Sequence, residues 1–138
     1  MRPTRVLAYS RRAAGSHPPR HQPFRWYRQV AKVVLSRTLS GENLTNVTVV
    51  RENLAEQVGQ IKRGPGGEIL IFGSPGAAHS LMMEDLIDEY WLFVNPILLG
   101  QGIPVFADLR ERVALRFIAS HVFSSGVVCL HYARQESV

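Results

Sequence analysis

Ser36-Arg37-Thr38 sets a guanidinium between two hydroxyls directly after the run Lys32-Val33-Val34-Leu35. Arginine's planar fork and the flanking hydroxyls match the oxygens of a phosphate monoester, such as the one that distinguishes NADP from NAD. Seen alone, the tripeptide also reads as a solvated polar turn. A second stretch, Gly73-Ser74-Pro75-Gly76-Ala77-Ala78, follows the apolar run Ile69-Leu70-Ile71-Phe72. Its small residues leave room beside the backbone, so a diphosphate could lie against amides at the start of a helix, where unpaired N–H groups and the helix dipole favour negative charge. The alternative is that small residues here only allow a helix to pack tightly on a sheet, and the full G-x-G-x-x-G spacing is absent.

Other chemistries find less support. Gly73-Ser74-Pro75-Gly76 lacks the glycine two places before the serine that a nucleophile elbow requires, and no Gly-Lys pair makes a P-loop. His79, His121 and His131 do not form the close group a metal needs, so no metal site is expected. Asp88-Glu89 opens a strand and is read as structural. Met82-Met83 reads as core filler and Gly100-Gln101-Gly102 as a turn.

Both phosphate seats need strands to present them at a sheet edge. Lys32 to Ser36 and Thr45 to Val50 are short, β-branched and bounded by polar turns, which predicts strands. Asn53 with Glu56 predicts an N-cap pair for a helix carrying Leu54, Val58 and Ile61 on one side and stopping near Gly64-Pro65-Gly66-Gly67. Ile69 to Phe72 reads as a buried strand. Ser74-Pro75 then offers an N-cap and a first-turn proline for a helix with Ala78, Leu81 and Met82 inward. Asp88 to Val94 begins a further strand that Asn95-Pro96 must bend or end, because proline has no N–H for a ladder. The apolar runs on either side of Ser124-Ser125-Gly126 predict an antiparallel hairpin. Alternation through residues 32–94 implies an α/β layer fold with a mainly parallel sheet, whose ligands collect outside the carboxyl ends of the strands.

A chain of 138 residues, 46% hydrophobic, suits one domain. No apolar run approaches the ~20 residues that cross a bilayer, and the start lacks the apolar centre of a secretory signal. A soluble, cytoplasmic protein with no membrane partner is expected. The lone Cys129 allows no internal disulfide and reads as a buried thiol. The formal charge of +5 is concentrated at one end: residues 1–28 hold seven arginines and no acid, and the rest holds nine basic and eleven acidic residues, a net of −2. With Pro3, Pro18, Pro19 and Pro23 in it, segment 1–25 reads as a flexible extension rather than a transit peptide or nucleic-acid tail.

The segments KVVLSRTL, EILIFGSPGAAHSLMMEDLIDEYWLFVNPILLGQGIPVF and SSGVVCLHY, in that order, resemble the dihydrofolate reductase-like proteins that share the C-terminal reductase domain of the bifunctional riboflavin-biosynthesis deaminase-reductase. The resemblance spans residues 26–134, with 135–138 as a tail. It implies a dihydrofolate reductase-like three-layer α/β fold, mainly parallel with a C-terminal antiparallel hairpin. It also implies NADPH as cofactor, with Ser36, Arg37 and Thr38 facing the adenosine 2′-phosphate and Gly73, Ser74, Pro75, Gly76, Ala77 and Ala78 cradling the pyrophosphate. The implied reaction is hydride transfer to a pyrimidine- or pterin-like small molecule, as in 5-amino-6-(5-phosphoribosylamino)uracil reductase. The family further implies a homodimer joined through the final strands and an unusual, sometimes cis, peptide at Gly73-Ser74.

Two features depart from the family. Phe72 stands where riboflavin reductases carry a glutamate, which leaves the substrate open. No S-L-D-G-like strand is matched, so the domain is expected to be incomplete at its N-terminus, with an open strand edge that invites pairing. No residue is assigned to proton transfer. The rival expectation is a truncated, catalytically silent dinucleotide-binding or dimerisation module.

Overall fold

Short apolar strands pair in parallel to build the first of two units, residues 1–80 and 81–138, into which the chain divides. The computed structural model describes residues 5–7, 30–39, 45–71, 74–106 and 109–135. In the first unit β1 (Arg5–Leu7), β2 (Lys32–Leu35), β3 (Val47–Val50) and β4 (Ile69–Ile71) form a four-stranded sheet in the order β3-β2-β1-β4. Every pairing in it is parallel, with Leu35 opposite Val50 and Leu7 opposite Ile71. Val33 and Val50 are buried, the cover that strands apolar on both faces require.

β1 falls within the segment 1–25 read as an extension, and there Arg5–Leu7 pairs on both sides, with β2 and with β4. Three residues are too few to show a period. Their place is fixed by two neighbouring ladders whose backbone groups need partners.

Helix α1 (Leu54–Arg63) lies against β3 with Val58 buried. Glu56 in its first turn and Lys62 and Arg63 in its last complement the helix dipole. The cap expected from Asn53 does not form: its backbone is left-handed (φ 49, ψ 49) and its side chain makes no capping bond, whereas an N-cap side chain reaches back from an extended backbone. Gln57 anchors this end instead, its N–H donating to the Asn53 carbonyl at 3.0 Å and its Nε2 to the Glu52 carbonyl at 2.7 Å. Gly64 closes the other end by donating to the carbonyls of Gln60 and Ile61.

The second unit is antiparallel. Strands β5 (Glu89–Val94), β6 (Leu115–Val122) and β7 (Val128–Arg134) form a three-stranded sheet in the order β5-β7-β6. β5 therefore joins the C-terminal hairpin rather than extending the parallel ladder, and it ends immediately before Asn95-Pro96, as proline demands. The hairpin turns at Gly126 (φ 84), which donates to the Phe123 carbonyl while Phe123 donates to Val127. Cys129 is buried on β7. Parallel and antiparallel sheets, with two helices among the described residues, make the α/β class expected from sequence.

Candidate functional site

β2 and β4 flank β1 and both run parallel to it, so their carboxyl ends open on one rim of the first unit's sheet. Ser36-Arg37-Thr38 leaves that rim after Leu35, and Ser74 starts the next helix after Ile71. Arg37 and Gly76 thus follow strands whose axes are two spacings apart, roughly 10 Å.

The turn after β2 is tied down at both ends. Ser36 N–H donates to the Val50 carbonyl at 3.1 Å, and Ser36 Oγ accepts from the N–H groups of Thr38 (3.3 Å) and Leu39 (3.1 Å). The hydroxyl is therefore engaged as an acceptor but keeps a proton to donate. Arg37 and Thr38 are exposed. Arg51, one residue past β3, reaches the same turn: its Nη2 donates to the Leu39 carbonyl at 2.8 Å. Sequence reasoning missed Arg51, because its approach to this turn depends on the register of β3 against β2. Among the described residues, no carboxylate forms an ion pair with Arg37 or Arg51.

At the second seat, helix α2 (Pro75–Met83) begins as expected, with proline at its first position. Ser74 is buried; its Oγ accepts from Ala77 N–H at 3.4 Å and its carbonyl from Ala78 N–H at 2.9 Å. Ala77 is only 2% exposed, so its side chain packs inward and is not offered to a ligand. Gly76 differs. It is exposed, and a Cβ built on it meets nothing within 4 Å. Tight packing thus accounts for the small residue at Ala77, while at Gly76 space stays open beside the backbone. Phe72, Gly73 and the Gly73-Ser74 peptide lie outside the described residues.

The remaining polar groups of interest sit in the second unit. His131 Nε2 lies 2.8 Å from Glu89 Oε2, and the His131 ring stacks on Trp91 with centroids 3.8 Å apart. Asp88 gives its carbonyl to Arg134 N–H at 2.8 Å. Glu89 thus contacts His131 through its carboxylate, and Asp88 joins β7 through its main chain. A cavity of about 440 Å³ lies among Met82, Met83, Arg112 and the Asp85–Arg134 ion pair. It contains none of the proposed seat residues. No group of His, Cys, Asp and Glu among the described residues could hold a metal ion, and no described helix is long and apolar enough to cross a membrane.

The family model described as the RibD C-terminal domain matches residues 6–129. The chain belongs to this family. The match begins ahead of the boundary at residue 26 drawn from sequence and takes in Val6 and Leu7 of β1 as well as both proposed seats. RibD C-terminal domains are reductase-like, and two Bacillus subtilis (strain 168) relatives share the sequence. Uncharacterized protein YyaP is 34% identical over 101 residues, 73% of this chain and 53% of that protein. Uncharacterized protein YwjB is 35% identical over 89 residues, 64% of this chain and 51% of that protein. The chain thus spans about half the length of the curated relatives it matches. Among solved structures, a candidate riboflavin biosynthesis protein from Shewanella sp. PV-4 superposes with a TM-score of 0.70 at 21% identity, covering 98% of this chain and 75% of that one. A pyrimidine reductase-like protein from Corynebacterium diphtheriae gives 0.56 at 14% identity, over 77% and 50%. At these identities the likeness speaks for the RibD-type fold.

Proposed function

We propose that this chain binds NADPH at the carboxyl rim of its parallel sheet and belongs to a reductase acting on a pyrimidine- or pterin-like small molecule. The observation that carries the reading is the shared rim of Arg37 and Gly76. Family membership supports the chemistry, and the open flank of Gly76 supports the seat. Arg37, the Ser36 O–H and the Thr38 hydroxyl hold the 2′-phosphate. The Gly76 backbone, with Ser74, Pro75 and Ala78 shaping the helix start, faces the pyrophosphate. NADPH when bound supplies the hydride; the residues here orient it and select its phosphate. A second copy of the chain is the proposed partner. In the second unit Trp91, Phe93, Ile97, Leu98, Ile103 and Val122 are all more than half exposed, and apolar surface gathered in this way marks an interaction face.

Titration of the purified chain with NADPH and NADH, followed by nicotinamide fluorescence, tests this directly. Tighter uptake of NADPH is expected, by roughly tenfold or more for a charge-assisted phosphate contact. NADPH oxidation with candidate pyrimidines then separates a working reductase from a module that binds without turnover. Failure to take up either dinucleotide would sink the proposal.

A further inference from the structure

We infer that Arg51 is a second cationic contact of the 2′-phosphate seat and, with Arg37, sets the preference for NADPH over NADH. This rests on the dinucleotide reading above and adds to it a residue that no sequence motif singled out.

The sheet register puts Arg51 where it can act. β3 lies parallel beside β2 with Leu35 opposite Val50, and Ser36 N–H donates to the Val50 carbonyl at 3.1 Å. The next residue past β3 therefore emerges alongside Ser36-Arg37-Thr38. Its side chain turns toward them: Arg51 Nη2 donates to the Leu39 carbonyl at 2.8 Å, while Leu39 N–H bonds Ser36 Oγ at 3.1 Å. Both guanidinium groups consequently belong to one exposed turn.

The bond to Leu39 occupies one of the five N–H donors of the Arg51 guanidinium and leaves the others for an oxyanion. Among the described residues neither Arg37 nor Arg51 has a carboxylate partner. Two like charges on one turn repel, and a phosphate monoester dianion between them turns that repulsion into two charge-assisted contacts. NADH offers only a hydroxyl at this position. Arg51 thus favours NADPH specifically, beyond propping the turn through Leu39.

Paired titrations of NADPH and NADH with wild type, Arg51→Gln and Arg51→Lys separate the two roles. Arg51→Gln is expected to weaken NADPH roughly tenfold and leave NADH within about twofold, and Arg51→Lys to restore much of the loss because it keeps the charge. A melting curve for each variant confirms folding, and if Arg51→Gln does not fold, the Lys variant at raised salt provides the comparison. Equal weakening of both dinucleotides would show a prop alone and overturn the inference, as would an unchanged NADPH affinity. In either case wild-type uptake of NADPH leaves the proposed function standing, whereas no uptake of dinucleotide by wild type removes both.

Discussion

Asp85 grips Arg134 twice: its Oδ2 lies 2.9 Å from Nη2, and its main-chain carbonyl accepts from Nη1 at 3.2 Å. It does so from a left-handed backbone (φ 56) at the end of α2. There Asp85 N–H donates to the Met82 carbonyl and Leu86 N–H to the Leu81 carbonyl, the pair of bonds of a Schellman motif. Glycine usually takes this position because it has no Cβ to strain. Aspartate accepts that strain and joins the end of the helix to the last strand.

Two substitutions weigh the strain against the ion pair. Asp85→Gly loses the carboxylate contact, worth about 0–1 kcal/mol for a pair this exposed, and relieves a left-handed residue of similar cost. Its stability in urea is expected to stay within about 0.5 kcal/mol of wild type. Asp85→Ala loses the contact but carries the same Cβ strain as wild type, so a loss of no more than about 1 kcal/mol is expected. Equal midpoints for Ala and wild type would show that the ion pair adds nothing, and equal midpoints for Gly and Ala would show that the left-handed backbone carries no strain.

Gly76 offers a separate test of whether α2 starts at a ligand seat. An added methyl meets nothing within 4 Å, and alanine is the better helix former, so Gly76→Ala should leave stability unchanged or raise it by up to about 1 kcal/mol. If the pyrophosphate lies against this backbone, the same methyl weakens NADPH and NADH alike. A more stable variant with weakened binding of both is the expected result. Unchanged affinity would place the diphosphate elsewhere.

What sequence made legible was local. The β-branched runs at Lys32 and Val47 and the proline that halts β5 after Val94 depend on neighbours a few residues away, and they fold as their types dictate. Ser74-Pro75 likewise starts α2 where expected. Three features required distant partners and were not legible. Arg5–Leu7 becomes a central strand only because β2 and β4 offer it two ladders. β5 leaves the parallel series because β7 pairs with it along its whole length, from Glu89 opposite Ala133 to Val94 opposite Val128. Arg51 joins the Ser36–Leu39 turn through register alone. Asn53 shows the reverse error, a good capping residue whose backbone conformation denies it the cap.

The exposed apolar surface of the second unit predicts self-association. Trp91 and Phe93 project from β5 at 57% and 58% exposure, with Leu98 fully exposed in the following loop. Light scattering behind a sizing column should report a dimer at micromolar concentration, and Trp91→Lys with Phe93→Lys should shift it to monomer, since a charge in an apolar interface core is poorly tolerated. A wild type that stays monomeric across that range would count against a second copy as the partner.

Tyr90 makes alkaline pH informative. Burial pushes its phenol above the ordinary value of 10.0; Arg134 pulls the other way, and Asp85 and Asp88 add to the rise. A raised folded pKa means the folded chain holds this proton more tightly than the unfolded chain. The linked stability is therefore fully present below the unfolded pKa and is lost as pH climbs through the folded one. Wild type should accordingly lose more stability than Tyr90→Phe between about pH 9 and pH 11, the window around an ordinary tyrosine pKa. Urea midpoints for both proteins at the two ends of that window provide the measurement, and because the other tyrosines titrate in each, only the difference between the two slopes reports on Tyr90. Parallel slopes would mean that the ring, which meets Phe106 edge-on at 6.3 Å, keeps enough water at its hydroxyl to ionise as it does in the unfolded chain.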